Sequence, residues 1–326
     1  GRIALGAMRI ALQALRRNVM RTALTMLGVI IGVAAVIAMM EISRGASVAI
    51  QVTVTKMGAN TLAVTPAAPQ RVGESTETLT PADAEAIQRE CANVVCAAPV
   101  VDAWGQLVYG NRNWTPIYLR GSTTEYLRAK NWTELDLGRT FNERELISAS
   151  KVCLIGATVV RELFGSRYPI GEEIRVKNVP FKVIGVLKAK GANLLGVDQD
   201  DILLAPWTTV KYRISGGDTS GSYSTEAVRS LPGLSFAERL PGLQHGSRTE
   251  SVDYILVQAA SHRSTQRVME DIERLLRDRH RLSETDADYK IYDNAEVSNA
   301  LKKTIGMMSR LGMSIATISL IVGGVG

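Results

Sequence analysis

Nineteen consecutive residues without a charge, Thr22 to Met40 in RTALTMLGVIIGVAAVIAMME, constrain this chain more than any other feature. Fifteen of them are Ala, Val, Ile, Leu or Met, and the other four are two Thr and two Gly. As a helix rising about 1.5 Å per residue, the run reaches roughly 28 Å, close to the ~30 Å hydrocarbon core of a bilayer. A core helix of a soluble protein seldom goes that far without a charge on its wet face. A cleaved export signal shares the basic flank, and LRRNVMR at Leu15–Arg21 has a faint twin-arginine look. But a signal core is usually only ~7–15 residues long, and no clear small-x-small cleavage site follows this one. The pattern predicts an uncleaved membrane span at 22–40.

The charge distribution orients that span. The net charge is +6, from 38 basic and 32 acidic residues. Residues 1–21 hold five arginines (2, 9, 16, 17 and 21) and no acid, which leaves 33 basic against 32 acidic residues elsewhere. The excess flanks the apolar run, as the positive-inside rule expects of a cytoplasmic flank. Arg9, Arg16, Arg17 and Arg21 are therefore orientation residues, not a nucleic-acid surface. Met8, Leu12, Leu15 and Val19 recur at helical spacing opposite Arg9, Gln13, Arg16 and Arg17. Residues 1–21 are expected to form a basic amphipathic helix at the inner membrane surface, with a merely solvated leader as the alternative. Everything from Glu41 onward is then extracytoplasmic.

Past the span, a loose helical stripe continues to about residue 57 and reads as a stalk. NTLAVTP reads as a strand, TPADAEAIQRE as a helix with Thr80 as N-cap and Pro81 at its first position, and NVVCAAPVV as a strand. The order returns late in the chain, with a strand at 251–259, an amphipathic helix at 264–280 and a strand at 288–292. Two such units predict an α+β layer, helices on one side of a mixed sheet. Between them, SKVCLIGATVVRELFG reads as strand then short helix, and EEIRVKNVPFKVIGVLK as two strands around the turn KNVP. Residues 215–248, dense in Gly, Ser and Pro, read as a long mobile loop. From Asp293, with Glu296 three residues on in a capping-box arrangement, Val297, Leu301, Ile305 and Met308 keep helical spacing as a stalk at 293–310. That stalk runs into a charge-free stretch at 311–326, the start of a second span. The chain is expected to be a piece of a longer membrane protein, because a helix does not end inside hydrocarbon.

Chemistry is conspicuous by its lack. No Gly-Lys dipeptide exists to build a phosphate-cradling loop, and no Gly-x-Ser-x-Gly elbow occurs. No catalytic, cofactor-binding or metal-ligating residue is assigned. His245, His262 and His280 are scattered and read as solvated. Asp198, Asp200 and Asp201 in GVDQDD read as a turn before the strand ILLAP, in preference to a hard-cation site. Two Asn-Trp-Thr sequons, at Asn113 and Asn131, read as chance. Three cysteines are too few for a disulfide scaffold; Cys91 and Cys96 read as reduced, half-buried thiols, with a small-loop bridge as the alternative, and Cys153 as a core strand residue. Gly28 and Gly32 form a GxxxG step inside the first span, which lets a second helix approach closely.

Seven segments taken in order, LRRNVMRTALTMLGVIIGVAAVIAM, KMGANTLAVTP, LDLGRTF, LIGATVVRELFG, PIGEEIRV, FKVIGVLKAKG and DQDDILLAPWTTV, resemble the MacB/FtsX-type permeases of ABC transporters. The resemblance implies a four-span subunit of the inner membrane, multi-pass with a cytoplasmic N-terminus, of which this chain holds the first span and the start of the second. It implies a porter-like part at 58–120 and 249–292, made of split βαβ units, and an inserted β-rich sabre-like part at 121–248. Members act as homodimeric mechanotransmitters. ATP and Mg bind a fused nucleotide-binding domain or a separate ABC ATPase subunit, and closure there moves long helices that work the outer domain. A periplasmic adaptor protein joins the expected partners beside the lipid bilayer; this chain itself binds no cofactor and is no enzyme. Alternatives are an FtsX-like regulator of a cell-wall hydrolase and a membrane-anchored sensor. The loop at 215–248 has no clear counterpart in the family pattern, and the later spans that would meet the ATPase are not in the chain.

Overall fold

The computed structural model describes residues 19–57, 60–67, 79–132, 134–193, 196–215, 251–261, 263–282 and 288–325. The predicted basic helix at 1–18 and nearly all of the predicted loop at 215–248 lie outside them, as do His245 and His262. The chain divides into two compact units, one formed by the helical residues up to Val52 with those from Ser298 onward, the other by Thr53–Val297.

The first unit is a pair of helices, α1 (Val19–Met57) and the last helix of the chain, Asn294–Val325. Both are longer than the ~20 residues that cross a bilayer. Among the described residues one stretch, Thr22–Ala49 of α1, is long and apolar enough to be a membrane span.

The second unit is built on one twelve-stranded mixed sheet. In chain order its elements are β1 (Thr61–Pro66), α2 (Pro81–Glu90), β2 (Val94–Ala103), β3 (Leu107–Tyr109), β4 (Arg112–Trp114), β5 (Tyr118–Ser122), α3 (Glu125–Ala129), β6 (Leu135–Gly138) and α4 (Glu143–Ile147). There follow β7 (Val152–Ile155), α5 (Ala157–Leu163), β8 (Glu173–Val176), β9 (Val179–Leu187), β10 (Ile202–Pro206), α6 (Trp207–Thr209) with a π-turn at Val210–Ile214, β11 (Tyr254–Ala259), α7 (Thr265–Arg279), β12 (Tyr289–Asp293) and finally α8 (Asn294–Val325). The strand order is β12-β1-β11-β2-β5-β10-β7-β9-β8-β3-β4, with β6 paired to β9. Among the described strand pairs only β5–β10 and β7–β9 are parallel.

The local rules explain most of these elements. Thr80 caps α2, its side chain accepting from Asp83 N while the Asp83 carboxylate accepts from Thr80 N, with Pro81 at the first position. The β8–β9 hairpin turns on Lys177 and Asn178, both at positive φ (45° and 68°), as a two-residue type I′ loop requires. Two glycines in the family-like motifs sit where a side chain does not fit. Gly138 has φ +80° and lies against the Ile184 carbonyl, and a Cβ on Gly156 would overlap the Asp200 carbonyl.

Strand alternation sorts the apolar side chains onto two faces. One face packs Leu62, Val64, Ala97, Ile255 and Val257 against α2 (Ile87) and α7 (Val268, Ile272, Leu276). The other packs Cys96, Ala98, Leu204 and Leu256 against α3 (Tyr126, Leu127), Trp132 and Phe141. Helices were expected on one side only; α3 covers the second face because β2, β10 and β11 are apolar on both. The β3–β4 hairpin, assigned by sequence to the 58–120 part, instead lies at the far end of the sheet beside β8. Its Leu107 is fully buried there with Ile174 and Val176, an anchor that its position in sequence does not reveal.

Cys91 and Cys96 belong to these opposite cores and are free, as is Cys153. They are buried rather than half-buried, at 8% and 0% exposure. Cys96 donates to Gln258 Oε1 and the Glu125 carbonyl.

Candidate functional site

The predicted packing glycines lie in the helix pair. Gly32 is buried, and Gly28, Val36, Met39, Ser43 and Ala46 are half-buried, tracing one face of α1 at intervals of three or four residues. Among the described side chains of α8 the half-buried positions are Ile305, Gly306, Ser309 and Gly312. Small residues dominate both stripes, with Met39 the single long flexible side chain on the α1 side. Its thioether end lies on Gly312, where any Cβ would overlap it. Beside this contact is a shallow apolar groove of about 290 Å³ lined by Ile31, Gly32, Ala35, Ala38, Met39, Ile42, Gly312 and Ile315. Away from the groove the apolar side chains are bare, Leu24 at 73% and Ile318 at 61% exposure, which suits a lipid surround and not water. Of the orientation residues, Arg9, Arg16 and Arg17 fall outside the described residues, and Arg21 lies in the first turn of α1. Gly312 and Met39 were missed by the sequence reading.

The second unit, Thr53–Val297, holds another cluster, and here the reading of His280 as solvated is corrected. Its side chain is only 7% exposed. Nδ1 lies 2.7 Å from Asp288 Oδ2 and Nε2 3.3 Å from Asp83 Oδ2. Arg279 Nε donates to Asp83 Oδ1 at 2.8 Å, and Thr80 Oγ1 to Asp83 Oδ2 at 2.7 Å. The positions follow from helix electrostatics. Asp83 is in the first turn of α2, where partial positive charge favours a carboxylate; His280 ends α7, where partial negative charge favours a cation. The hydrogen bonds that the ring donates to Asp288 and then to Asp83 push the imidazole pKa up to about 10, against burial, which favours the neutral ring. Burial likewise favours neutral Asp83, but the hydrogen bonds from His280, Arg279 and Thr80 outweigh it and hold that carboxyl well below the usual carboxylate range. The ring is thus an imidazolium donating to two carboxylates. The sequence signal was available: His280 stands at the end of a helix whose last turn carries Arg277 and Arg279.

Asp198, Asp200 and Asp201 do serve a turn. Asp200 accepts from the backbone of Lys190 and Gly191, Asp201 from Trp114 Nε1 and Ile117 N, and Asp198 from Thr158. Among the described residues no cluster has the arrangement of a metal site.

Residues 22–275 match the family model of the MacB-like periplasmic core domain. The chain belongs to that family. It is 47% identical to the macrolide export ATP-binding/permease protein MacB of Syntrophobacter fumaroxidans, over 97% of this chain and 48% of that protein. It is 43% identical to the protein of the same name from Rhodopirellula baltica, over 98% of this chain and 46% of that one. The MacB-like chain therefore spans about half the length of these relatives. Its fold is similar to the periplasmic region of MacB from Actinobacillus actinomycetemcomitans (TM-score 0.53, 19% identity, 76% of this chain and 95% of that one). It is also similar to the extracellular domain of the noncanonic ABC-type transporter YknZ from Gram-positive bacteria (TM-score 0.51, 18% identity, 72% of this chain and all of that one). The MacB-like domain is thus joined to an N-terminal helix suited to membrane anchoring.

Proposed function

We propose that this chain is part of an ABC transporter permease that works by mechanotransmission, coupling ATP hydrolysis in the cytoplasm to export or extraction on the outer side. The observation that carries the reading is where the long helices root. α1 ends at Met57 and β1 begins at Thr61; β12 ends at Asp293 and α8 begins at Asn294. Leu62 and Asp293 are register partners on neighbouring antiparallel strands. Both helices therefore connect to the same end of one strand pair, and at 39 and 32 residues each is longer than a bilayer needs. A movement of either helix acts on the sheet at one place, as a rigid-body or shear displacement.

In this reading the N-terminus is cytoplasmic, the span lies in the inner membrane and Thr53–Val297 faces the outer compartment. The names of the curated relatives join ATP binding to a permease, which supports a nucleotide-binding domain, fused or separate, as the holder of ATP and Mg. This chain contributes no catalytic residue or cofactor site. A homodimer, to match paired ATPases, and a periplasmic adaptor complete the assembly.

The test is Ala300→Pro in the full-length transporter, which breaks α8 above its apolar part. Membrane insertion and ATP hydrolysis persist while macrolide export is lost. Export at the wild-type level would remove the lever.

A further inference from the structure

Among the described residues β12 is an edge strand of five residues with β1 as its one sheet neighbour. Five register pairs hold it, from Leu62↔Asp293 to Pro66↔Tyr289, and it continues directly into α8. An edge strand held on one side is the weakest part of a sheet under load, because nothing replaces its hydrogen bonds once they open. Displacement of α8 would peel such a strand from the sheet unless its other end were fixed.

That other end is fixed. Asp288 immediately precedes β12, its carbonyl accepts from Ala67 N at 2.6 Å, and its carboxylate receives His280 Nδ1 at 2.7 Å. Through its second ring nitrogen His280 reaches Asp83 on α2, and Arg279 beside it reaches the same carboxylate. Asp83 and Asp288 are both more than nine-tenths buried, so neither charge has water as a substitute partner. The Tyr289 hydroxyl adds a bond to the Glu273 carbonyl of α7. The start of the edge strand is thus tied to both helices that cover this face.

We propose that His280 is a positioning residue that makes β12 a fixed root for the second long helix. Bridging Asp288 to Asp83, it makes displacement of α8 carry α2, α7 and the sheet as one body instead of opening the edge strand. The proposal rests on the mechanotransmission reading. Arg120, the other buried cation with carboxylate and phenol partners (Asp102 and Tyr126), is different in kind: it reinforces β2 and β5, which already pair with each other.

The experiment is hydrogen exchange on the full-length transporter in nanodiscs, with His280→Gln and Asp288→Asn, each with and without ATP and vanadate. Without nucleotide, both variants should exchange the amides of β12 about tenfold faster or more, while Leu256 and Val257 of β11 stay protected and show that the domain is folded. On ATP trapping, the wild type should change exchange in α2 and α7; in the variants the change should stop at α8 and β12. Two variants guard against one that does not fold. Unchanged β12 exchange in both variants overturns the clamp. Loosened β12 with a wild-type response in α2 and α7 overturns its part in transmission. If the wild type itself shows no ATP-dependent change in the outer unit, the mechanotransmission reading fails, and the nucleotide-free arm still judges the clamp.

Discussion

Replacing His280 by alanine should destabilise the outer unit strongly and in a pH-dependent way. The substitution removes the cation between two carboxylates that are 3% and 8% exposed. Arg279 remains for Asp83, so the larger loss falls on Asp288, whose Oδ1 already has no hydrogen-bond partner among the described residues. Taking one partner from a buried ionic group costs on the order of 3–5 kcal/mol. At about 2–4 °C per kcal/mol for a unit of this size, the melting temperature falls by roughly 6–20 °C. The sign of the pH dependence follows from the two shifts. The folded-state pKa of His280 is about 10 against an ordinary 6.5, so its contribution is complete below about pH 6.5 and disappears as pH rises through 10. Its slope in that window is at most about 1.4 kcal/mol per pH unit. Asp83 is shifted the other way: its contribution is complete above 3.8 and is lost as pH falls through the depressed folded value. The gap between wild type and His280→Ala is therefore widest between about pH 4 and 6.5 and closes toward pH 10. All four tryptophans (104, 114, 132 and 207) lie in this unit, so their fluorescence during denaturant unfolding in detergent reports on it alone. A difference below about 1 kcal/mol, or one that is constant from about pH 6 to 9.5, would refute the buried imidazolium.

Three further outcomes are expected. Gly312→Leu should weaken the helix pair by about 1–2 kcal/mol, read as a fall in cross-linking between cysteines placed at Ile31 and Ile315, and Met39→Ala should restore it; no fall, or no rescue, removes that contact from the seam. Cys91 and Cys96 should not bridge under oxidising conditions and should alkylate at less than about a tenth of their rate in denaturant, since burial first, then nearby acidic charge, pushes both thiols up to about 11; a native disulfide on a non-reducing gel would contradict their opposite faces. A cysteine at Tyr168, which is 64% exposed, should react with a membrane-impermeant maleimide on intact spheroplasts; reaction only after lysis would place the domain in the cytosol.

Much of the outer unit was legible because its local signals agree with its tertiary structure. Thr80, Pro81 and Asp83 announce the start of α2, and Lys177–Asn178 is a turn between two alternating runs. The repeated strand–helix–strand order gave the α+β class. What sequence did not reveal was the pairing of distant segments. Leu107–Tyr109 looks like any short apolar run, and only the long-range match to β8 seats it at the far end of the sheet. The strands at 94–103 and 254–259 are apolar on both faces, which leaves it open whether one face or two is covered; Tyr126 and Leu127 supply the second cover from a helix of five residues. Cys91 and Cys96 invite a bridge by spacing, yet Cys91 ends α2 in one core while Cys96 lies in β2 with its thiol in the other.

The sites failed to show for a related reason. A glycine step in an apolar helix marks where a neighbour can approach but not which neighbour, because inside an apolar run every face has the same chemistry. Gly32 and Gly312 line one groove, and the Met39 thioether end fills the space that a side chain at position 312 would take. His280 carries the complementary lesson. A histidine after a charged helix reads as wet when its partners are counted along the sequence, since Asp288 is eight residues on but Asp83 and its helix stand 197 residues away. Helix termini are stronger guides than composition there. A cationic end such as RLLRDRH and an anionic start such as TPAD each invite the opposite charge, and two such ends in one domain are candidates to meet. The buried ion group of Asp83, His280 and Asp288 follows from that pairing.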